Sequence, residues 1–225
     1  MQALLRRGQE AIEHGDFDGA AQVLDSALEL SRPNFGENSH IAAECHNSIG
    51  SLFIRRRQFD KAFEHINKGL AIVSELLGPN HTDIARFHCL SGAAYHEKGD
   101  YGKAIEYHHK SLAVLLAQPK PDHPNIANCY ESIAQSHYML HSFDQSFAYM
   151  EKALQIRLKY LGSAHVDTIT ANLLLGLHHL ALESLEHKVS ARIYLQTALT
   201  YALAHLGPQH EITSQAQVAL AKCNA

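Results

Sequence analysis

The stretch GDYGKAIEYHHKSLAV (residues 99–114) decides the fold, because its pattern of small residues and rings returns along the chain with a period of 42 residues. A fixed period of this length indicates a repeat architecture. Small residues recur at three positions of the period, and an aromatic ring recurs at a fourth. The recurring residues are Gly8, Gly50, Gly92, Ala134 and Gly176; Ala20, Ala62, Ala104 and Ser146; Ala27, Gly69, Ser111 and Ala153; and Phe17, Phe59, Tyr101 and Phe143.

Each repeat is predicted to be a pair of helices. In the third repeat the apolar spacing is helical in IARFHCLSGAAYHEK (84–98), is interrupted by GDY (99–101), and resumes in GKAIEYHHKSLAVLLAQ (102–118). Small residues at the recurring positions let helices cross closely, because a bulky side chain would hold their axes apart. Aspartates are expected to cap the free amides that begin the second helices. These aspartates are Asp16, Asp60, Asp100 and Asp144.

Loops rich in Gly, Pro and His separate the repeats. They are FGENSH (35–40), LGPNH (77–81), PKPDH (119–123), LGSAH (161–165) and LGPQH (206–210). Because Gly and Pro end helices, we predict one all-α solenoid over residues 1–225, with five helix pairs and a C-terminal capping helix. The predicted repeats are 1–40, 41–81, 82–123, 124–165 and 166–210, and the cap is 211–225. Ala191 and Ala198 come three residues late, which predicts a longer turn around ALESLEH (181–187).

Composition narrows the classes of function. A hydrophobic content of 46% suffices for a continuous core, and a net charge of -4 lacks the positive charge typical of nucleic-acid binders. No apolar run reaches the length of a membrane span, and MQALLRRGQE (1–10) enters an amphipathic pattern directly. We therefore expect a cytoplasmic protein without a membrane partner. The cysteines are far apart and are predicted to be reduced thiols packed in helices. They are Cys45, Cys89, Cys129 and Cys223.

Eighteen histidines raise the question of metal binding or catalysis. Each loop between repeats carries one histidine, too far from the next to share an ion, and we expect it to hydrogen-bond backbone. These are His40, His81, His123, His165 and His210. His137 and His141 lie at i and i+4, but the sequence has no H-E-x-x-H motif and no Gly-rich phosphate loop. His137 and His179 share a repeat position with Phe53 and Tyr95, which predicts packed rings. We predict no catalytic, cofactor-binding or metal-binding residues.

The small residues and GDYGKAIEYHHKSLAV resemble the tetratricopeptide repeat (TPR) family across essentially the whole chain. The 42-residue period and the motif G-P-x-H-x-x-x-A, seen in GPNHTDIA (78–85) and in part in PDHPNIA (121–127), are similar to the kinesin-light-chain branch. This resemblance implies a right-handed superhelix whose first helices form a concave groove that holds partner peptides. The repeat count also resembles the TPR region of Clu (clustered mitochondria) proteins, which are cytosolic and act on messenger RNAs for mitochondrial proteins.

The resemblance implies a protein-binding adaptor with a groove for a peptide or an amphipathic helix. Of the positions with which co-chaperone TPR domains hold a carboxylate, only Arg86 matches. Of the groove asparagines of kinesin light chains, Asn47 matches, with Asn128 nearby. By repeat position, the predicted groove residues are Arg6, Gln9, Glu44, Asn47, Ser48, Ser51, Arg55, Arg86, Cys89, Asn128, Glu131, Gln135, Leu173, Leu174 and Leu177.

Two features leave alternatives open. Arg55, Arg56 and Arg57 either complement a helix dipole or, with Arg86, attract an acidic motif or RNA phosphates, as a Clu-like scaffold would. ITANLLLGLHHLAL (168–181) is apolar on nearly every side and must be covered. The chain's own helices cover it, or its leucines receive a partner helix or a second copy of the chain. These leucines are Leu173, Leu174 and Leu177.

Overall fold

The computed structural model describes residues 1–119, 123–182 and 184–224, and every regular element in these ranges is an α-helix. The eleven helices are α1 (Gln2–Glu13), α2 (Phe17–Phe35), α3 (His40–Arg55), α4 (Phe59–Leu77), α5 (Thr82–Lys98), α6 (Tyr101–Leu116), α7 (His123–Met139), α8 (Phe143–Leu161), α9 (Val166–Leu180), α10 (Leu185–His205) and α11 (Glu211–Asn224). The predicted all-α class, five helix pairs and final single helix are confirmed.

Contacts divide the chain into two compact units. The N-terminal unit comprises Met1–Asp122 and Gln135–His141, and the C-terminal unit comprises His123–Ala134 and Ser142–Ala225. Within the N-terminal unit, α3 packs against its partner α4, against the preceding α2, and against the first helices α1 and α5. Within the C-terminal unit, α9 packs against α8, α10 and α11. A single solenoid over residues 1–225 stays a prediction.

The recurring glycines permit the close helix crossings that the sequence predicts. A Cβ added to Gly8 would lie 2.5 Å from the side chain of Leu24, and one added to Gly92 would lie 2.6 Å from the His108 ring. Each of these glycines belongs to a first helix and meets a buried residue of the paired second helix. Any larger side chain at these two positions would push the pair apart.

Helix caps agree with the sequence at two of the four aspartates. The carboxylate of Asp16 accepts from the Gly19 amide at 2.9 Å, and that of Asp100 accepts from the Lys103 amide at 3.2 Å. The capping prediction is wrong for the other two, which lie inside the first turns of α4 and α8. There the negative charge of each side chain stabilises the N-terminus of the helix by interacting with the helix dipole, and the side chain does not act as a cap. These two are Asp60 and Asp144.

Three of the five loop histidines bind backbone as predicted. In each, Nδ1 accepts from the amide two residues ahead at 3.2 Å; they are His81, His165 and His210. His40 and His123 differ because each is the first residue of its helix. The His40 ring donates to the Asp83 carboxylate, and the His123 ring stacks on Tyr160 at 3.6 Å between centroids.

The longer connection predicted in the fifth repeat is present between α9 and α10, but it ends earlier than predicted. The second helix α10 begins at Leu185, inside the stretch 181–187, and Ser184 caps it by accepting from the His187 amide. Residue 183 of that turn and residues 120–122 of the PKPDH loop lie outside the described residues. The predicted cap is a single helix, α11, packed on α9 and α10.

The cysteines are free thiols, as the sequence predicts, and three of the four are buried. Burial, aided by the neighbouring Glu44 carboxylate, raises the pKa of the Cys45 thiol to about 11. Over the ranges that the structure describes, no helix combines the length and apolar character needed to cross a bilayer.

Candidate partner-binding groove

The predicted groove residues of the N-terminal unit lie on the first helices α1, α3 and α5. On α1 and α5, Arg6, Gln9 and Arg86 are exposed, and Cys89 is partly exposed. On α3, the residues at spacings i, i+3, i+7 and i+11 form one stripe and keep contact with solvent. They are Glu44, Asn47, Ser51 and Arg55.

Ser48 is a correction to the predicted set. Its side chain belongs to the same helix face as Glu44 and Asn47, but the residue is only 4% exposed. Because α3 packs against both α1 and α5, this middle position of the face is covered by neighbouring first helices. Ser48 is therefore part of the packing and is removed from the site.

Glu44, Asn47 and Arg86 line one narrow cleft between α3 and α5. Its remaining wall residues are His40 and Asp83, at the first turns of the two helices. Its floor is apolar and buried, and consists of Ala43, Val73 and Phe87. The space inside the cleft is only about 10 Å³, which is room for about one water molecule and far less than the roughly 300–1,000 Å³ of small-molecule sites. The polar rim of the cleft, and not its interior, is therefore the surface that a polypeptide segment could contact.

Asp83 organises the rim of the cleft. Its carboxylate accepts from His40 Nε2 at 2.7 Å and forms an ion pair with Arg86 Nη1 at 3.4 Å. Burial alone would raise the pKa of this carboxyl, but the His40 hydrogen bond and the positive charge of Arg86 outweigh burial and lower it. His81 Nδ1 accepts from the Asp83 amide and so carries no proton at that atom. The ionised Asp83 therefore holds Arg86 beside the cleft.

The corresponding groove position on α7 and α8 is occupied by a buried arginine. Arg157 of α8 is buried, and its Nη2 lies 3.0 Å from Asn128 Oδ1 and 2.5 Å from Glu131 Oε2. Asn128 and Glu131 are predicted groove residues, and both are engaged within the chain. Gln135, also predicted, is exposed further along α7. Asn128 and Glu131 are thus paired with a cation of the same unit, although Asn128 keeps contact with solvent, whereas Glu44 and Asn47 line the cleft of the N-terminal unit.

Arg157 was missed by the sequence reasoning, although the repeat carries a signal for it. The same repeat position holds Ser31, Val73 and Leu115, all of which are buried. A cation at a position that is otherwise small or apolar requires a buried partner, because an unpaired charge in the interior is too costly. The partner carboxylate, Glu131, comes from the adjacent helix.

The leucines of α9 pack inside the C-terminal unit, which corrects the predicted role of Leu173. Leu173 is 2% exposed and belongs to a cluster with residues of α10 and α11, including Leu195 and Ala219. Leu177 packs on the same cluster, and Leu174 packs on a cluster that includes Met150 of α8. The chain's own helices therefore cover Leu173, which is removed from the partner-binding set, whereas Leu174 and Leu177 stay partly exposed and their role stays a prediction.

The basic run has partners within the N-terminal unit. Arg55 is the last residue of α3, as the structural interpretation expects. Arg56 is ion-paired with Asp18. Arg57 donates to the Glu97 carbonyl at 3.1 Å and covers the Phe59 ring at 5.5 Å. Two of the three arginines thus support the turn between helices.

Comparison with known proteins identifies the fold. A family model described as "Tetratricopeptide repeat" matches residues 83–158. The crystal structure of BtubC (BKLC) from P. vanneervenii matches with a TM-score of 0.75 and 17% identity over 92% of this chain and 81% of that chain. The chain has the tetratricopeptide-repeat fold.

Two further TPR-fold neighbours cover nearly all of the chain. A Podosopora anserina kinesin-light-chain candidate with nearly identical TPR-like repeats has a TM-score of 0.70 and 14% identity, over 90% of this chain and 95% of that chain. A Rap protein complexed with competence and sporulation factor has a TM-score of 0.65 and 13% identity, over 98% of this chain and 64% of that chain. No curated protein sequence matches significantly.

The sequence predicts His137 and His179 as packed rings. His179 is buried and stacks on Phe147, with ring centroids 3.8 Å apart and planes at 6°, which confirms its prediction as a packed ring. Burial and the neighbouring His187 lower the pKa of His179 to about 4. His137 is half-buried on α7. Among residues 1–119, 123–182 and 184–224, no three His, Cys, Asp or Glu side chains are grouped to hold one metal ion.

Proposed function

We propose that this TPR chain is a non-catalytic scaffold of the kinesin-light-chain-like type, which holds a segment of a partner protein in the cleft between α3 and α5. The observation that carries the proposal is the composition of that cleft. An apolar floor at Val73 and Phe87 lies between polar walls that include Asn47 and Arg86. Apolar pockets with a few placed polar groups are typical of peptide-recognition surfaces.

The polar walls suit an extended segment of polypeptide. The Asn47 side-chain amide offers both a donor and an acceptor, which is what the backbone of an extended peptide needs. Arg86 is held by Asp83, so its remaining donors are directed with little loss of side-chain freedom on binding. Because the floor is narrow and buried, a partner segment would lie across the rim of the cleft, with an apolar side chain placed over the floor.

The fold neighbours support peptide binding as a class of function. One of them is a Rap protein solved with competence and sporulation factor, and another is a kinesin-light-chain candidate. The four free thiols suit a reducing compartment, so we place the proposed scaffold in the cytoplasm.

The test compares partner capture by two double variants of the full chain. Asn47→Ala with Arg86→Glu alters the cleft walls. Asn67→Ala with Arg32→Glu makes the same chemical changes at exposed positions on the second helices α4 and α2. Captured proteins are quantified by mass spectrometry, and the melting temperature of each variant is measured to verify folding.

The cleft variant should lose the partners of the wild type by about tenfold or more, since side chains at the centre of an interface carry most of its energy. The control variant should retain them. Equal capture by a folded cleft variant and the wild type would contradict the proposal.

A further inference from the structure

The last second helix, α10, exposes three large apolar side chains on one face. Leu185 is 81% exposed, Val189 is 53% exposed and Ile193 is 62% exposed. Their spacing of four residues places them on successive turns, so they form one stripe. We call these three residues the α10 stripe. Three large apolar side chains exposed together on one face, unlike apolar residues scattered singly, are a candidate interaction site.

The stripe lies opposite the side of α10 that is buried. The buried residues of α10 face the core shared with α9 and α11; they are Ala191, Leu195, Ala198 and Ala202. At 3.6 residues per turn, Val189 and Ile193 point away from that side of the helix. The helix is therefore apolar on two opposite faces, and in the part of the chain that the structure describes only one of them is covered.

The other second helices are polar or small at these positions. Allowing for the three added residues, the position of Val189 corresponds to Asp18, Asp60, Gly102 and Asp144. The position of Ile193 corresponds to Gln22, Glu64, Glu106 and Ala148. All eight residues are exposed. The apolar character of the α10 stripe is thus a local departure from the repeat and is not needed for packing the repeat.

Charges flank the stripe with opposite signs. Glu186 lies on one side of it, and Lys188 and Arg192 lie on the other, by helical spacing. Arg192 donates through Nη2 to the Cys223 carbonyl at 3.2 Å, which fixes the guanidinium and leaves its other donors. When two copies of one helix meet side by side around a two-fold axis parallel to them, the acidic flank of each faces the basic flank of the other.

We propose that the α10 stripe binds the α10 stripe of a second copy of this chain. The contact is isologous: apolar side chains meet apolar side chains, and Glu186 of each copy faces the basic flank of the other. Three side chains form a smaller patch than the roughly 800 Å² per partner of a standard interface. The dimer is therefore weak, with a dissociation constant on the order of 10⁻⁵ to 10⁻⁴ M.

Sedimentation equilibrium of the full chain, from about 10 µM to about 1 mM, measures this association. The variant Val189→Asp with Ile193→Glu places at the stripe the residue types that α4 carries, so it should fold like the wild type. It should weaken the dimer by about tenfold or more. The matched control is Leu30→Asp with Leu76→Glu, which changes two exposed leucines of other second helices and should leave the dimer intact.

The flanking charges give a second readout. Glu186→Arg should weaken the dimer, because like charges then face each other, and Glu186→Arg with Arg192→Glu should restore it. A wild type that is strictly monomeric at about 1 mM would overturn the proposal, and so would a stripe variant that dimerises like the wild type. A different protein bound to the stripe of a monomeric chain would also overturn it.

This inference goes beyond the proposed scaffold function and stands apart from it. The α10 stripe and the cleft between α3 and α5 share no residue, so Val189→Asp with Ile193→Glu should still capture the partners that the cleft variant loses.

Discussion

The cleft between α3 and α5 and the matching surface of α7 and α8 come from the same repeat, yet one is open and the other is filled. Val73 of α4 and Arg157 of α8 occupy the same repeat position, and both are buried. Beside Val73, Glu44 and Asn47 line an open cleft. Beside Arg157, the equivalent polar residues of α7 are bound to the guanidinium.

One buried position therefore decides whether the neighbouring polar side chains are paired with a cation of the chain or left to line a cleft. An apolar residue there leaves the polar groups above it directed to solvent, where a ligand can meet them. A cation there must be neutralised, and it recruits the same groups to do so. The TPR fold is common to both places, so the difference between them comes from side chains and not from the backbone.

The largest expected effect is a fall in stability at acidic pH, which should differ between the two units because they contain different numbers of buried histidines. Burial lowers the pKa of His46, His108 and His179 to about 4, with His65 beside His46 and His187 beside His179 adding to the effect. The unfolded chain takes up these protons near pH 6.5, so the free energy of unfolding falls as pH drops from there toward 4. Together the three histidines should lower the free energy of unfolding by roughly 5 kcal/mol between pH 7 and pH 5.

Two of the three histidines belong to the N-terminal unit, so acid should open that unit first. Urea denaturation at pH 7 and pH 5, followed by circular dichroism, measures the total effect, and limited proteolysis locates it. The repeat itself supplies neutral replacements, since Tyr130, Ile66 and Phe53 hold the equivalent positions. The combined variant His46→Tyr, His108→Ile and His179→Phe should show a clearly shallower pH dependence. Burial also lowers the pKa of five other histidines, which keep the remainder: His65, His88, His96, His137 and His178. A pH dependence as steep as that of the wild type would contradict the assignment.

The second-largest expected effect is the loss of stability when the buried Arg157 is replaced. Arg157→Met leaves the Glu131 carboxylate without its buried cation, and the free energy of unfolding should fall by about 3 kcal/mol. Arg157→Val with Glu131→Asn copies the pair Val73 and Asn47 and should recover most of that loss. The control is Lys159→Met, an exposed cation on the same helix, which should change stability by less than about 0.5 kcal/mol. A loss no greater than that of the control would show that the buried pair is not needed.

A smaller effect is expected at the rim of the open cleft. Asp83→Asn removes the ionised partner of His40 and Arg86, and should lower the free energy of unfolding by about 1 kcal/mol at pH 7. Because the folded protein lowers the pKa of Asp83, this contribution exists above the unfolded pKa and is lost as pH falls below about 4. The wild type and the variant should therefore converge in stability at acidic pH. A difference that stayed constant down to pH 3 would contradict the role of the ionised carboxylate.

The sequence predicted the backbone features that depend on the period. Helix pairs, close crossings at Gly8 and Gly92, and caps at Asp16 and Asp100 follow from residue types that few other conformations tolerate. Asp60 and Asp144 were misassigned although the period marks the difference. They share a repeat position with Asp18, two residues after the cap, and Gln58 and Ser142 hold the N-cap position of Asp16 and Asp100.

Side-chain contacts between helices were less predictable. The burial of Ser48 depends on the packing of α1 and α5 around it, and Leu173 is covered by helices later in the chain. Arg157 binds residues 26 to 29 positions earlier, a pairing set by side-chain length and helix crossing. Helical periodicity places a residue on a face, but the face presented to solvent is decided by neighbours that are distant in sequence.

The most direct test of the open cleft is the affinity of a captured partner segment for Val73→Arg, measured by calorimetry beside Arg157→Val with Glu131→Asn. An arginine at position 73 would bind Glu44 and Asn47, as Arg157 binds their counterparts, and fill the cleft. The account predicts about tenfold weaker binding or more for a folded Val73→Arg variant, and unchanged binding for the other. Wild-type affinity in Val73→Arg, with loss in the second variant, would contradict it.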